Sequence, residues 1–250
     1  MRLLRRVLLV VLVLCVGAVV WLRVRNPEGP ALDDAARRGV AGRFVRLPDG
    51  VTHYDLAGPD SGARVVLVHG FSVPAYIWDS TAAALAGAGF RVARYDTYGR
   101  GWSDRPDAPY DLALFDRQLV GLLDSLGWRA PVHVMGLSYG GAITATFVSR
   151  HPERVRTLTL VDPVAGQSGG VPWLMHAPLV GPLLWQGLAV PMMADGQSSD
   201  FVQPSRWPDW ADRYRVQTHY AGFGRALLRT RPAGRTVRYD SMYAAAGRAR

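Results

Sequence analysis

The chain has 250 residues, of which 49% are hydrophobic and 20% are charged, a balance typical of a globular protein with a buried core. Its net charge is +9, and arginine supplies all of the positive side-chain charge because the sequence has no lysine. The arginines are scattered, without a basic helix or an aromatic RNA-binding motif, so the composition argues against nucleic-acid binding. The single cysteine, Cys15, excludes intrachain disulfides. No cluster of residues indicates a metal or an organic cofactor.

An unbroken apolar segment runs from Val7 to Leu22, and arginines flank it at positions 2, 5, 6, 23 and 25. A helix of this length falls a little short of a hydrocarbon core about 30 Å thick, and flanking arginines can reach outward to compensate. No small-residue cleavage site follows the segment, which favours an uncleaved anchor over a cleaved signal peptide. We therefore assign residues 1–25 to an N-terminal transmembrane anchor and the Pro- and Gly-containing residues 26–38 to a linker.

The flanking arginines also bear on membrane topology. Their slight excess on the N-terminal side favours a cytoplasmic N-terminus, which would place the rest of the chain outside the cytoplasm. A domain without cysteine tolerates an oxidising compartment but does not require one.

Short apolar runs alternate with helix-compatible segments between residues 39 and 165. A turn at Pro48-Asp49-Gly50 separates two β-like runs and predicts a hairpin over 42–47 and 51–57. The pattern predicts further strands at 64–68, 90–95, 132–135 and 155–161, and helices at 79–88, 112–126 and 142–150. Strands that alternate with helices predict an α/β fold with a doubly wound, mostly parallel sheet.

One of these predicted strands leads directly into Gly136-Leu137-Ser138-Tyr139-Gly140, and a helix-compatible segment follows at once. A G-x-S-x-G sequence between a strand and a helix is typical of a nucleophile elbow, where a strained turn exposes the serine Oγ. Gly136 and Gly140 would leave room for the neighbouring strand and helix. The alternative is a glycine-rich turn with an incidental serine, and the pentapeptide alone does not decide between them.

Three further motifs accompany the elbow. Val65–Phe71 resembles the strand and oxyanion loop of the α/β-hydrolase superfamily, Arg94–Asp104 resembles its D-x-x-G-x-G-x-S loop, and His151–Asp162 resembles the helix exit and next strand. Over residues 42–165 the chain resembles the branch that contains esterases, monoacylglycerol-lipase-like enzymes, C–C bond hydrolases and cofactor-free haloperoxidases. A serine at position 138 separates it from epoxide hydrolases and haloalkane dehalogenases, which carry aspartate at the elbow.

The resemblance implies a serine hydrolase that acts on a small-molecule carboxylic ester without a cofactor. Ser138 would attack the acyl carbonyl and form an acyl-enzyme. The backbone N–H groups of Phe71 and Tyr139 would form the oxyanion hole. Three other residues would shape the surrounding loops rather than act on substrate: His69, Gly70 and Asp96.

Residues 166–250 are expected to form a helical lid inserted after the core of residues 39–165. Much of this region is rich in Pro, Trp, Met and Gly and shows no strand periodicity. An apolar lid beside a membrane anchor favours apolar acyl chains or lipid-like esters as substrates. The alternative is that the same residues only form the core of the lid itself.

A hydrolase with this motif order also requires an acid and a histidine after the serine. The resemblance places both beyond the lid, yet neither a strand–Gly-x-x-Asp pattern nor a Gly-His pair follows Ser138. We therefore expect that the last strands are missing and that the chain is a fragment or a prematurely ended reading frame. Asp162 is the candidate acid, and His176 and His219 are the candidates for the base. The alternative function is a catalytically incomplete, membrane-tethered fragment or a non-enzymatic interaction module.

Overall fold

The computed structural model describes residues 1–166, 173–235 and 237–249, without the side chains of His176 and of residues 231–235. The chain divides into two compact units. The sheet unit comprises Leu32–Gly169 and Ala226–Arg250, and the anchor unit comprises Met1–Ala31 and Gly170–Arg225.

The described residues form six strands and nine α-helices. The strands are β1 (Arg43–Leu47), β2 (Gly50–Ala57), β3 (Arg64–Val68), β4 (Arg91–Tyr95), β5 (Val132–Leu137) and β6 (Val155–Val161). The helices are α1 (Arg2–Arg25), α2 (Asp79–Gly87), α3 (Leu112–Ser125), α4 (Tyr139–Arg150), α5 (Val180–Leu184), α6 (Val190–Asp195), α7 (Trp210–Thr218), α8 (Phe223–Arg235) and α9 (Tyr239–Arg248).

The strands form one sheet in the order β1-β2-β4-β3-β5-β6. β1 and β2 form the predicted antiparallel hairpin, β2 pairs antiparallel with β4, and the four strands β4, β3, β5 and β6 are parallel. Parallel neighbours require crossover connections, which α2, α3 and α4 provide. The predicted fold class, an α/β fold with a mostly parallel sheet, is confirmed.

Side chains of β3 enter a core on each face of the sheet. Val66 and Val68 belong to a large cluster with α3, α4 and α9, while Val65 and Leu67 pack with Trp78 and a smaller cluster that includes α2. A strand that is buried on both faces has no solvent-exposed face, so polar residues do not alternate with apolar residues along it. This explains why the sequence of β3 is a continuous apolar run.

The strand register aligns the carboxyl ends of the parallel strands. Val68 of β3 pairs with Tyr95 of β4 and with Gly136 of β5, and Leu137 of β5 pairs with Val161 of β6. The loops that follow these four strands therefore begin at one edge of the sheet. This edge is where ligands bind in open α/β sheets.

Two charged residues of the predicted linker, residues 26–38, make defined contacts in the structure. Glu28, within residues 26–38, accepts hydrogen bonds from the backbone N–H groups of Gly222 (2.9 Å) and Gly224 (2.6 Å). Arg37 is buried, donates to the Trp102 carbonyl (3.1 Å) and pairs with Asp104. Glu28 thus contacts other residues of the anchor unit and Arg37 other residues of the sheet unit, contacts that the Pro and Gly content of the segment does not reveal.

The predicted lid region, residues 166–250, is also divided. Residues 226–249 belong to the sheet unit, where α9 packs on α4 and the Tyr243 hydroxyl donates to the Val164 carbonyl (2.7 Å). The small residues of α9 allow this close packing, and Ala246 is fully buried. Residues 167–172 of the predicted lid lie outside the described residues.

We predict that Gly140→Ala destabilises the sheet unit by about 1–3 kcal/mol or more, because the added Cβ overlaps fixed backbone. It would lie 2.5 Å from the His69 carbonyl oxygen and closer still to that of Val68. Gly87→Ala is the matched control, since nothing lies within 4 Å of a Cβ there, and it should stabilise α2 by up to about 1 kcal/mol. Thermal unfolding of both variants measures this, and equal midpoints would contradict the packing described for Gly140.

Candidate active site

Ser138 lies between β5 and α4 and has a strained backbone, with φ 51° and ψ −117°. A non-glycine residue in such a conformation costs on the order of 1–3 kcal/mol, and it persists only where surrounding structure enforces it. Three hydrogen bonds do so here. The Ser138 N–H donates to the Val161 carbonyl (3.0 Å), and the Ser138 carbonyl accepts from the N–H groups of Gly141 (2.9 Å) and Val164 (3.2 Å). The turn presents a partly exposed serine at the start of a helix.

Glycines flank the turn because atoms of neighbouring segments lie too close to these positions to leave room for a side chain. A Cβ on Gly136 would lie 2.5 Å from the Gly140 carbonyl oxygen. A Cβ on Gly70 would lie 3.3 Å from the Ser138 Cβ and 3.8 Å from its Oγ. Gly70 therefore leaves open the space directly beside the serine hydroxyl.

The two predicted oxyanion donors are the backbone N–H groups of Phe71 and Tyr139, which follow Gly70 and Ser138 in the chain. Tyr139 is the first residue of α4, where N–H groups have no partner within the helix and the helix dipole favours negative charge. Phe71 is fixed by Arg100, whose Nε donates to the Phe71 carbonyl (2.8 Å) and whose guanidinium lies 5.4 Å from the ring centroid. The Tyr139 side chain packs in the core, edge-on to Phe115 at 6.0 Å.

His69 is fully buried, and both of its ring nitrogens are engaged. Nδ1 is 2.9 Å from the Gly70 carbonyl oxygen, and Nε2 is 2.9 Å from the backbone N–H of Thr97, from which it accepts. Burial lowers the pKa of His69 to about 4, so the ring is neutral at pH 7. These contacts join the loop after β3 to the loop after β4.

The Asp96 carboxylate holds the loop after β4 together through several hydrogen bonds. The carboxylate accepts from the backbone N–H groups of Ala75 (2.8 Å) and Trp102 (2.9 Å) and pairs with His53 Nδ1 (2.8 Å). A Cβ on Gly101, whose φ is +51°, would overlap this carboxylate. Burial, the largest single influence, would raise the pKa of Asp96, but the hydrogen bond and the charge of His53 together with the backbone N–H of Trp102 lower that pKa. Burial alone would likewise lower the pKa of His53, and the bond to Asp96 raises it.

Asp162 follows β6 directly and is exposed, with φ 42°. The two hydrogen bonds that join Ser138 to Val161 and Val164 bracket it in the chain. Its backbone is therefore held beside the elbow. Its carboxylate makes no hydrogen bond or ion pair with the described residues.

The histidines of the sheet unit are engaged away from the serine. His133 Nδ1 lies 2.8 Å from Thr157 Oγ1, and His151 Nε2 lies 3.4 Å from the Asp116 carboxylate. In the described part of the sheet unit, no histidine hydrogen-bonds to Ser138 Oγ. Of the two candidate bases, His219 is exposed in the anchor unit, and the side chain of His176 lies outside the described structure.

Two buried polar residues that no sequence motif identified, Gln118 and Thr230, also support the site. The Gln118 side-chain amide donates to Thr52 Oγ1 and to the Asp96 carbonyl and accepts from the Tyr98 N–H. Thr230 Oγ1 accepts from Arg100 (2.9 Å). Gln118 lies on the buried face of α3 together with Leu114 and Leu122. A polar residue on an apolar helix face is the signal that could have identified it.

Arg100 bonds both within its own loop, to the Tyr98 carbonyl (3.1 Å), and beyond it, to the Phe71 carbonyl and Thr230 Oγ1.

Among the described residues, no group of three or more His, Cys, Asp or Glu side chains is arranged to hold a metal ion.

We predict that Asp96→Asn destabilises the sheet unit by about 3 kcal/mol or more, because it leaves the buried partners of the carboxylate uncompensated. Asp124→Asn, which alters an exposed ion pair with Arg154, should change stability by less than about 1 kcal/mol. Because the pKa of Asp96 is lowered, its contribution is complete above the unfolded value of 3.8 and is lost as the pH falls through the folded pKa.

Hydrogen exchange of the β4 amides measures the stability of this unit by itself. The difference between wild type and Asp96→Asn should shrink on acidification. A difference that does not change with pH would contradict an ionised, paired Asp96.

A family model described as alpha/beta hydrolase fold matches residues 63–247. A non-heme chloroperoxidase of Streptomyces lividans is 35% identical over 108 residues, which cover 43% of this chain and 39% of the relative. Epoxide hydrolase A of Mycobacterium tuberculosis is 36% identical over 118 residues, which cover 46% of this chain and 36% of the relative. The chain thus matches less than half of the length of these curated relatives.

Among solved structures, a hydrolase from Pseudomonas aeruginosa PA01 has a TM-score of 0.65 and 26% sequence identity, and the match covers 80% of this chain and 74% of that chain. The family model matches well over half of the residues and includes the loop after β3, the elbow and α9. The chain therefore belongs to the α/β-hydrolase fold family.

Proposed function

We propose that this chain is a serine hydrolase of carboxylic esters and that Ser138 is its nucleophile. The observation that carries the proposal is the strained backbone of Ser138, which three hydrogen bonds hold at the carboxyl edge of the sheet. The relatives include an epoxide hydrolase and a chloroperoxidase. A serine at the elbow favours acyl transfer over epoxide opening, for which relatives carry an aspartate.

The chemistry follows from the groups around Ser138. The Oγ attacks the acyl carbon, an O–C bond forms, and the carbonyl π electrons move to the oxygen. The N–H groups of Phe71 and Tyr139 donate to this oxyanion, and one such donor is worth on the order of 10²-fold or more in rate. Collapse expels the alcohol and leaves an acyl-enzyme, which water hydrolyses.

The serine proton must pass to a base, and the described histidines of the sheet unit are engaged elsewhere. On this chain, His176 and His219 are the remaining candidates. Asp162 is the proposed acid, on the strength of its exposed carboxylate and its backbone position beside the elbow.

Hydrolysis of p-nitrophenyl esters by the purified full chain tests the proposal. Ser138→Ala should lower kcat/KM by on the order of 10³-fold or more, while Ser149→Ala, at the exposed end of α4, should leave it unchanged. Esters with longer acyl chains should be preferred if the substrate is lipid-like. A preference for acetate esters would contradict only the proposal of a lipid-like substrate. Equal rates for wild type and Ser138→Ala would contradict the proposed hydrolase activity itself.

The second candidate function is a membrane-tethered module without catalytic activity. It is favoured by one observation, the engagement of the described histidines of the sheet unit away from Ser138. The same assay separates the two functions, because a module of this kind would hydrolyse esters no faster than its Ser138→Ala variant.

We also propose that α1 anchors the protein in a membrane. It has 24 residues and a mean hydropathy of 2.8 over its most apolar window, of which 6% is buried. A signal sequence shares these properties, but the absence of a small-residue cleavage site favours retention. The slight excess of arginines at the N-terminal end of α1 over those at its C-terminal end favours a cytoplasmic N-terminus and an extracytoplasmic sheet unit.

Fusions to the C-terminus of the full chain test this topology. With the N-terminus in the cytoplasm, an alkaline phosphatase fusion should be active and a green fluorescent protein fusion dark. The opposite pattern would place the sheet unit in the cytoplasm. A shortened, soluble product would show that α1 is a cleaved signal sequence.

A further inference from the structure

The anchor unit contains a long segment without formal charge. No Asp, Glu or Arg occurs from Trp173 to Ala194, although 20% of the residues in the chain are charged. We call residues 173–194 the apolar arm. In the structure it includes α5, a π-helical turn at Trp185–Ala189, and most of α6.

Part of the arm forms a small core and part faces outward. Trp185 and Val190 are buried, but Trp173 is 80% exposed, Leu179 84% and Met192 61%. The remainder of the anchor unit is different in character. There Arg215 pairs with Asp195 (2.9 Å) and Asp212 (2.7 Å) on an exposed surface. The unit is therefore amphiphilic, and large exposed apolar side chains concentrated on one segment indicate an interaction surface.

The arm packs against the C-terminal end of α1. A Cβ on Gly187 would lie 2.9 Å from the Leu22 Cα, so the two backbones are in direct contact. The Arg25 Nε donates to the Gly187 carbonyl (3.3 Å), a carbonyl within the π-helical turn. Both α5 and the π-helical turn contact α1. The arm is therefore continuous with the apolar surface of the anchor.

The end of α1 carries the residues that mark a membrane–water boundary. Trp21 is half-exposed, and the Arg25 guanidinium lies 5.0 Å from its ring centroid. Tryptophan concentrates at the interface, and arginine there extends its charge toward water. Because Gly187 contacts this end of the helix, the arm lies at the level of the interface when α1 spans the bilayer.

The arm is not built to cross the bilayer. Its helical part, residues 180–194, is about 22 Å long at 1.5 Å per residue and contains Pro182 and Pro191. Unlike α1, it carries no arginine at either end that could reach across the remaining thickness. An uncharged apolar segment of this kind, held beside a spanning helix, fits the headgroup–acyl boundary.

We propose that the apolar arm is a monotopic membrane contact that lies in the same leaflet boundary as the end of α1. Its partner is the lipid bilayer. The proposal rests on the membrane anchor proposed above and does not depend on ester hydrolysis. It gives the anchor unit two attachments to the membrane, one spanning and one interfacial.

Site-directed spin labelling of the full chain in phosphatidylcholine vesicles tests the proposal. Cys15 is the single cysteine, so each label is introduced into a Cys15→Ser background. Two labels report on the arm, Leu179→Cys and Met192→Cys. Val202→Cys is the matched control, since it is a fully exposed apolar residue outside the arm. Val13→Cys reports on α1.

Labels on the arm should be severalfold more accessible to oxygen, which concentrates in lipid, than to a water-soluble nickel chelate. The control at position 202 should show the reverse preference. Arm labels that favour the nickel chelate, while the α1 label is in lipid, would overturn the proposal and leave the anchor intact. An α1 label in water would overturn the anchor and this contact together. Arm labels shielded from both reagents, with spin–spin broadening, would also overturn it and indicate a second copy of the chain.

Discussion

The hydrogen bonds that join the elbow to the end of β6 and to the segment after it are the constraint on which the site depends. Ser138 has a positive φ that a serine adopts only when held, and the bonds to Val161 and Val164 hold it. The same bonds fix the backbone around Asp162. The pairing of β5 with β6 thus determines where the proposed nucleophile and the proposed acid lie.

A second, buried network supports the opposite side of the site. Asp96 ties the loop after β4 to His53, and His69 joins that loop to the one after β3. Arg100 extends the network to the carbonyl of Phe71, the residue proposed to donate to the oxyanion. An oxyanion donor is effective only when it is positioned before the reaction, and this network holds the backbone of Phe71 in place.

Much of the sheet could be predicted from sequence because its signals are local. The buried run of β3, the hairpin turn and the elbow motif each fix a strand or a turn within a few residues. The partners of Glu28 and the packing of α9 could not be predicted, because they depend on contacts between residues far apart in the chain. The contact of Arg100 with Thr230, 130 positions later in the chain, is likewise visible only in three dimensions. The sequence motifs also locate Ser138, but not a base for it.

The central claim is that the strained elbow presents Ser138 as a nucleophile. Intact-protein and peptide mass spectrometry after treatment of the full chain with a fluorophosphonate measures this directly, because attack by the serine Oγ forms an O–P bond and expels fluoride. We expect one adduct, located at Ser138 and absent from Ser138→Ala. No adduct, or an adduct at another residue with Ser138 unmodified, would contradict it.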